Sequence, residues 1–108
     1  EKVDSVDGEY QLGKLQLSSR RRQAFWQDQL LDLTSTEFNL LASLCQHVGM
    51  VLSKNKLSEQ ILGRQLTRYD RSLDVHISNL RQKLGLLQDG RSPIQTVRGV
   101  GYQLLDDR

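Results

Sequence analysis

One cysteine, one proline and two histidines occur in the 108 residues. Cys45 alone can form no disulfide framework, and a single thiol suits a reducing compartment. One cysteine with His47 and His76 cannot assemble a four-ligand metal site without scattered carboxylates, so neither metal nor cofactor is expected. The same three residues are the only candidate thiol nucleophile and imidazoles, and no acid is placed to orient either ring. Catalysis is therefore not expected. No run of eighteen apolar residues and no charged-then-apolar start is present, which sets aside membrane-spanning and secretory readings and leaves the cytoplasm as the expected location. Internal repeats and low-complexity tracts are lacking too, and the length suits one small domain with one core.

What is present is a charge asymmetry beneath a net charge of only +2. Residues 1–51 carry five Lys/Arg against seven Asp/Glu, whereas residues 52–101 carry nine against four. A basic C-terminal half suits a polyanionic partner, although basic surfaces are common enough that geometry has to decide.

The opening EKVDSVDGE is polar, acidic and without periodicity, and reads as a linker over residues 1–9. From Tyr10 to Leu33 short apolar fragments are broken by Gly13, Ser18-Ser19 and Asp28. Leu15 and Leu17, Ala24 and Trp26, and Leu31 and Leu33 alternate with polar residues, which predicts three or four short antiparallel strands. The period then changes. Thr34-Ser35-Thr36-Glu37 has capping-box spacing with Leu33 and Phe38 at the staple positions, predicting a helix to about His47 that buries Phe38, Leu41, Leu44, Cys45 and Val48 and stops at Gly49. After a Met50-Val51-Leu52 connection, Ser53 caps a short second helix whose first turn holds Lys54 and Lys56. Those lysines oppose the helix dipole; either they are solvated or they face phosphate. A basic turn follows, then a third helix over residues 71–87 ended by Gly85 and LQDGRSP. Pro93 opens a hairpin over residues 94–105 with Arg98-Gly99-Val100-Gly101 at its tip, where two glycines are expected to supply positive φ.

On the third helix Leu73, Ile77, Leu80, Leu84 and Leu87 fall within about 40° of one direction, so that face is core. Val75, Ser78, Asn79 and Gln82 point outward, bordered by Ser72 and Lys83 on one side and Asp74 and Arg81 on the other. A surface helix serving only solubility would carry Glu and Lys there. A helix entering a DNA major groove needs small or amide side chains and an apolar atom toward the bases, with cations at the margins. Ser72, Val75 and Asn79 fit the first need, and Arg71, His76, Arg81 and Lys83 the second. An exposed valine or asparagine is ordinary by itself; their common face carries the reading. Asp74 and Arg81 lie seven apart on one side of the helix, so the carboxylate reads as an orienting salt bridge and not as a DNA contact. Arg98, at the hairpin tip, suits a minor groove beside that helix.

LTSTEFNLL, DRSLDVHISNLRQKL and TVRGVGY, in this order and spacing over residues 10–105, resemble the DNA-binding domain of OmpR/PhoB-class response regulators, with HISNLRQKLG nearest the CpxR-like members. The resemblance implies an α+β winged helix-turn-helix: a four-stranded N-terminal antiparallel sheet, three helices with the third as recognition helix, and a C-terminal β-hairpin wing. It implies that residues 1–9 link to a phosphorylatable receiver domain and that 106–108 form a tail. It further implies a bacterial cytoplasmic two-component transcriptional regulator, with a sensor histidine kinase acting on the receiver. Its DNA would be double-stranded with tandem half-sites. Carried over by motif, Ser72, Val75 and Asn79 face bases and Arg98 the minor groove, while Arg71, His76, Arg81, Thr96 and Tyr102 hold phosphates. Arg64, Gln65, Leu66, Thr67 and Arg68, between the second and third helices, would touch RNA polymerase. Several relatives have arginine where this chain has Ser78 and Asn79, so their target sequence does not transfer. The competing expectation is a winged-helix module that binds protein instead of DNA.

Overall fold

A computed structural model describes residues 5–6, 9–63 and 72–106 of the chain. Where the alternation predicts three or four strands the structure has four, β2 (Glu9–Leu12), β3 (Leu15–Ser18), β4 (Gln23–Trp26) and β5 (Gln29–Leu30), and a further strand, β1 (Ser5–Val6), precedes them. All five form one antiparallel sheet in chain order. Ser5, Val6 and Glu9, which read as linker, are thus strand residues. Two-residue pairing needs no sequence period, so nothing in the acidic opening announced β1. Leu12, Leu15, Leu17 and Ala24 turn toward the core, whereas Leu31 and Leu33 lie beyond the last strand and are half-buried. The chain leaves β4 through Gln27 and Asp28, both at positive φ (50° and 68°), the turn geometry that follows strand twist.

Helix α1 (Ser35–Gln46) starts as the capping box requires: the Glu37 amide donates to Thr34 Oγ1 and the Thr34 amide donates to Glu37 Oε1, both at 3.1 Å. It buries Phe38, Leu40, Leu41, Leu44 and Cys45, with Val48 half-buried beyond its end. Met50-Val51-Leu52 is not a plain connection. Val51–Ser53 is strand β6, paired antiparallel with a strand fifty residues later in the chain. Ser53 then caps α2 (Lys54–Leu57) by accepting from the Lys56 amide at 3.1 Å, and the chain continues as a π-helical turn over Ser58–Leu62.

Among the described residues helix α3 runs Ser72–Lys83 and ends before the Leu87 expected. Leu84 and Leu87 remain buried, but the Leu87 amide donates to the Arg91 carbonyl at 2.8 Å in a loop of its own. The apolar stripe thus outlasts the helix, which is why periodicity overran its end. Gly85 sits here for a spatial reason. A Cβ at that position would lie 2.1 Å from Trp26 Nε1, so the indole occupies the space a side chain would need.

Strands β7 (Ile94–Val97) and β8 (Gly101–Leu104) form the C-terminal hairpin, and with β6 they make a second sheet in the order β6-β8-β7. At the tip Gly99 has φ 77°, as a reversal demands, but Gly101 is not a positive-φ glycine. A Cβ there would come within 1.9 Å of the Leu52 carbonyl oxygen, so glycine lets β6 and β8 close on each other. Leu73, Ile77 and Leu80 of α3 are buried in the core shared with α1. Each such side chain contributes about 1.5–3 kcal/mol, enough to fix which face of α3 is left outside.

Candidate nucleic-acid interface

Burying Leu73, Ile77, Leu80 and Leu84 leaves Val75, Ser78, Asn79 and Gln82 exposed on the opposite side of α3. Val75 is 53% exposed, the largest apolar group on that face. Ser72 is half-buried at one border and already engaged within the protein. The outward row is therefore short, uncharged and able to donate and accept hydrogen bonds, with one apolar centre.

The borders of α3 are tied to the rest of the molecule. Asp74 accepts from the Tyr102 hydroxyl at 2.5 Å and pairs with Lys54 Nζ at 3.3 Å, joining α3 to β8 and to the start of α2. The ion pair of Asp74 thus reaches Lys54 of α2, whereas Arg81, seven residues along the same side, bonds to β7. Arg81 donates from Nε to the Ile94 carbonyl at 3.0 Å and from Nη2 to Thr96 Oγ1 at 2.5 Å, joining α3 to β7. Between these two ties the Tyr102 ring has the Lys54 ammonium at 5.8 Å and the Arg81 guanidinium at 5.6 Å from its centroid, where a ring quadrupole attracts cations. Burial, reinforced by the Asp74 hydrogen bond, pushes the Tyr102 phenol up to about 12. It stays protonated and a donor at any physiological pH.

On the other border Lys83 Nζ donates to Glu37 Oε1 at 2.6 Å. Burial opposes ionisation of Glu37, but the Lys83 ammonium and the Thr34 amide outweigh it and hold the carboxyl below its ordinary range. His76 is half-buried on the same side, and Thr96 is exposed on β7. Arg98 is exposed at the hairpin tip, in a turn closed by the Val100 amide donating to the Val97 carbonyl at 2.9 Å.

Of the residues singled out from sequence, the structure brings Ser72, Val75, His76, Asn79, Arg81 and Lys83 onto one helix and sets Thr96, Arg98 and Tyr102 on the hairpin beside it. Arg71 and the loop residues Arg64, Gln65, Leu66, Thr67 and Arg68 lie outside the described residues. Val100, two residues from Arg98, is 49% exposed at the same tip, and a branched apolar residue flanked by two glycines is the sequence signal for it. Lys54, which its sequence position allows to be either solvated or turned to phosphate, has a structural partner in Asp74. Cys45 is buried, and burial raises its thiol to about 12, so it is inert core. Among the described residues no group of three or more His, Cys, Asp or Glu is arranged to hold a metal, and no helix is long and apolar enough to cross a membrane.

Residues 27–104 match the family described as "Transcriptional regulatory protein, C terminal". The chain is 47% identical over 91 residues to the transcriptional regulatory protein CpxR of Escherichia coli, an alignment covering 84% of this chain and 39% of that protein. It thus spans about two fifths of the length of the curated relatives it matches. The structure superposes on the crystal structure of the DNA-binding domain of E. coli CpxR with a TM-score of 0.85 at 42% identity, covering 93% of this chain and 98% of that one. The RstA DNA-binding domain of Klebsiella pneumoniae, solved in complex with the RstA box, superposes with a TM-score of 0.81 at 30% identity, covering 90% and 96%.

Proposed function

Because the chain belongs to the C-terminal family of transcriptional regulatory proteins, as a CpxR-like effector domain of the OmpR/PhoB class, we propose that it binds duplex DNA sequence-specifically. In this reading α3 lies in the major groove with Ser72, Val75 and Asn79 toward base edges, and the β7–β8 hairpin sets Arg98 at the adjacent minor groove. The carrying observation is the outward face of α3: an exposed valine among exposed serine and amide side chains, with cations confined to the borders. Asn79 is suited to bidentate contact with adenine, and Val75 to the methyl group of thymine.

Of the expected phosphate contacts, Arg71, His76, Arg81, Lys83 and Thr96 are retained, and Tyr102 is set apart because its hydroxyl donates to Asp74. The internal bonds of Arg81 leave Nη1 free to donate, and Lys83 has more donors than its one bond to Glu37 uses. Tandem half-sites, a receiver domain in the same full-length protein, a sensor kinase acting on it, and RNA polymerase contact through residues 64–68 complete the proposal. They rest on family membership, as does bacterial cytoplasmic location.

Selection of bound sites from random duplex DNA tests this directly and returns half-site spacing as well. A recurrent sequence should emerge, and binding to it should weaken steeply with salt, by a slope of about 0.9 in log K per phosphate neutralised. Recovery of no preferred sequence, with affinity flat in salt, would instead favour a protein-binding winged helix.

A further inference from the structure

Tyr102 has one O–H to donate, and Asp74 accepts that hydrogen bond. A phosphate reaching Tyr102 as an acceptor would have to displace a carboxylate already at 2.5 Å from a hydroxyl on a side chain only 4% exposed. The other border residues differ. Arg81 keeps unused N–H groups, Lys83 keeps unused ammonium protons, and Thr96 accepts from Arg81 through its oxygen while its own proton remains available. Donor arithmetic therefore separates Tyr102 from the residues able to serve frame and phosphate together.

Position says what Tyr102 does instead. It lies on β8 opposite Leu52 of β6 and Thr96 of β7, the central strand of the three-stranded sheet whose hairpin ends at Arg98. Asp74 lies in the first turn of α3, one residue from Val75. The Tyr102–Asp74 bond thus runs from the middle of the wing to the end of α3 that carries Ser72 and Val75. Lys54 extends the tie: its ammonium pairs with Asp74 at 3.3 Å and its backbone amide donates to the Val100 carbonyl at the wing tip at 3.2 Å. One carboxylate thereby connects the reading helix, the central wing strand and, through Lys54, the wing tip.

Resting on the proposed DNA reading, we infer that Asp74 and Tyr102 are positioning residues, which fix the angle between α3 and the wing so that major-groove and minor-groove contacts form together. They touch no DNA. Their effect on binding is exerted through Arg98. Rigid placement of this kind matters because a reading group displaced by about 1 Å loses its hydrogen bonds while its partner elsewhere keeps them.

The test uses the 108-residue chain, the duplex recovered by site selection, and a scrambled duplex of the same composition. Tyr102→Phe and Asp74→Asn are each measured alone and with Arg98→Ala, across a salt series, with the thermal unfolding midpoint recorded for every variant. Tyr102→Phe keeps the buried ring, and Asp74→Asn keeps an acceptor, so folding is preserved. The expected result is a loss of about tenfold on the selected duplex for Tyr102→Phe, with the salt slope unchanged, shrinking to within about twofold when Arg98 is already alanine. An equal loss on the selected and the scrambled duplex would make Tyr102 a phosphate ligand and overturn the inference, because a phosphate contact is blind to sequence. Equal losses with and without Arg98 would overturn it too, because the hydroxyl would then not act through the wing. If the wild-type chain shows no preference for the selected duplex over the scrambled one, the DNA reading itself falls, and that outcome is distinct from the other two.

Discussion

Replacing Lys83 with methionine removes the ammonium from a carboxylate that has almost no water to turn to. The Glu37 side chain is 3% exposed, and without Lys83 its Oε1 retains the Thr34 amide at 3.1 Å. A hydrogen bond to a charged group is worth about 1.5–3 kcal/mol net, and stripping one partner from a fully buried pair costs about 3–5 kcal/mol. Lys83 is 34% exposed, so solvent screens part of the interaction and a loss of about 2 kcal/mol at neutral pH is expected. With a urea dependence of about 1–3 kcal/mol per molar for a small domain, the unfolding midpoint should fall by about 1 M, followed through the fluorescence of half-buried Trp26. The pH dependence supplies a sign. Because Glu37 is held below the ordinary carboxylate range, its ion pair stabilises the fold above that range and is lost as pH falls through the folded-state value. The deficit of the variant should therefore be greatest at neutral pH and shrink on acidification. Glu37→Gln keeps an acceptor for the Thr34 amide and leaves Lys83 to solvent, so it should cost less. An unchanged neutral midpoint for Lys83→Met, or a deficit constant from neutral to acid pH, would refute this account of the pair.

Gly101→Ala forces a Cβ against the Leu52 backbone carbonyl and Gly85→Ala forces one against the Trp26 indole, so the first should destabilise by about 1–3 kcal/mol or more and the second by less. Urea unfolding checks the order, and only Gly85→Ala should shift the Trp26 emission maximum. Asn79→Ala should cost about 1–3 kcal/mol on the selected site and flatten preference at one base pair; a uniform loss over all sequences would show that Asn79 reads no base. Replacing the thymine opposite Val75 with uracil should weaken binding to the wild-type chain, whereas equal affinity would remove the methyl contact. In a spectrophotometric titration Tyr102→Phe should remove a tyrosinate component rising near pH 12. Because that phenol is raised in the fold, stability should fall as pH climbs from the ordinary tyrosine range toward 12, and less so in the variant.

The parts of the fold legible in the sequence are those whose causes lie within a few residues of their effects. The Thr34–Glu37 box is complete within four residues, and its two hydrogen bonds form as the spacing requires. The buried stripe of α3 follows from a local period, and with it the exposure of Val75, Ser78, Asn79 and Gln82. Features set by distant chain were not legible. Strand β6 is three residues without alternation whose partner begins at Gly101. Gly85 reads locally as a helix stop, yet the indole that excludes a side chain there comes from β4. Gly101 reads as a turn glycine beside Gly99, yet its cause is a carbonyl on β6. The border cations were ambiguous for the same reason: sequence spacing puts Arg81 and Lys83 beside the outward face of α3 but cannot say that Ile94, Thr96 and Glu37 are within their reach.

That double use of the borders has a consequence for how the face of α3 is divided experimentally. Asn79 and Val75 sit at the middle of the outward face, so substitutions there should alter binding and leave the unfolding midpoint nearly unchanged. Arg81 holds the Ile94 carbonyl and the Thr96 hydroxyl while retaining a free Nη1, so its loss should lower stability and binding together. Tyr102→Phe, which removes one buried donor and no charge, should lower binding without altering the number of counterions released. Stability, affinity and salt slope thus sort three kinds of residue on one small surface: those that read, those that both hold and neutralise, and those that only aim. A surface on which every substitution moved all three quantities in proportion would be a single packed interface, and the division into reading centre and supporting borders would fail.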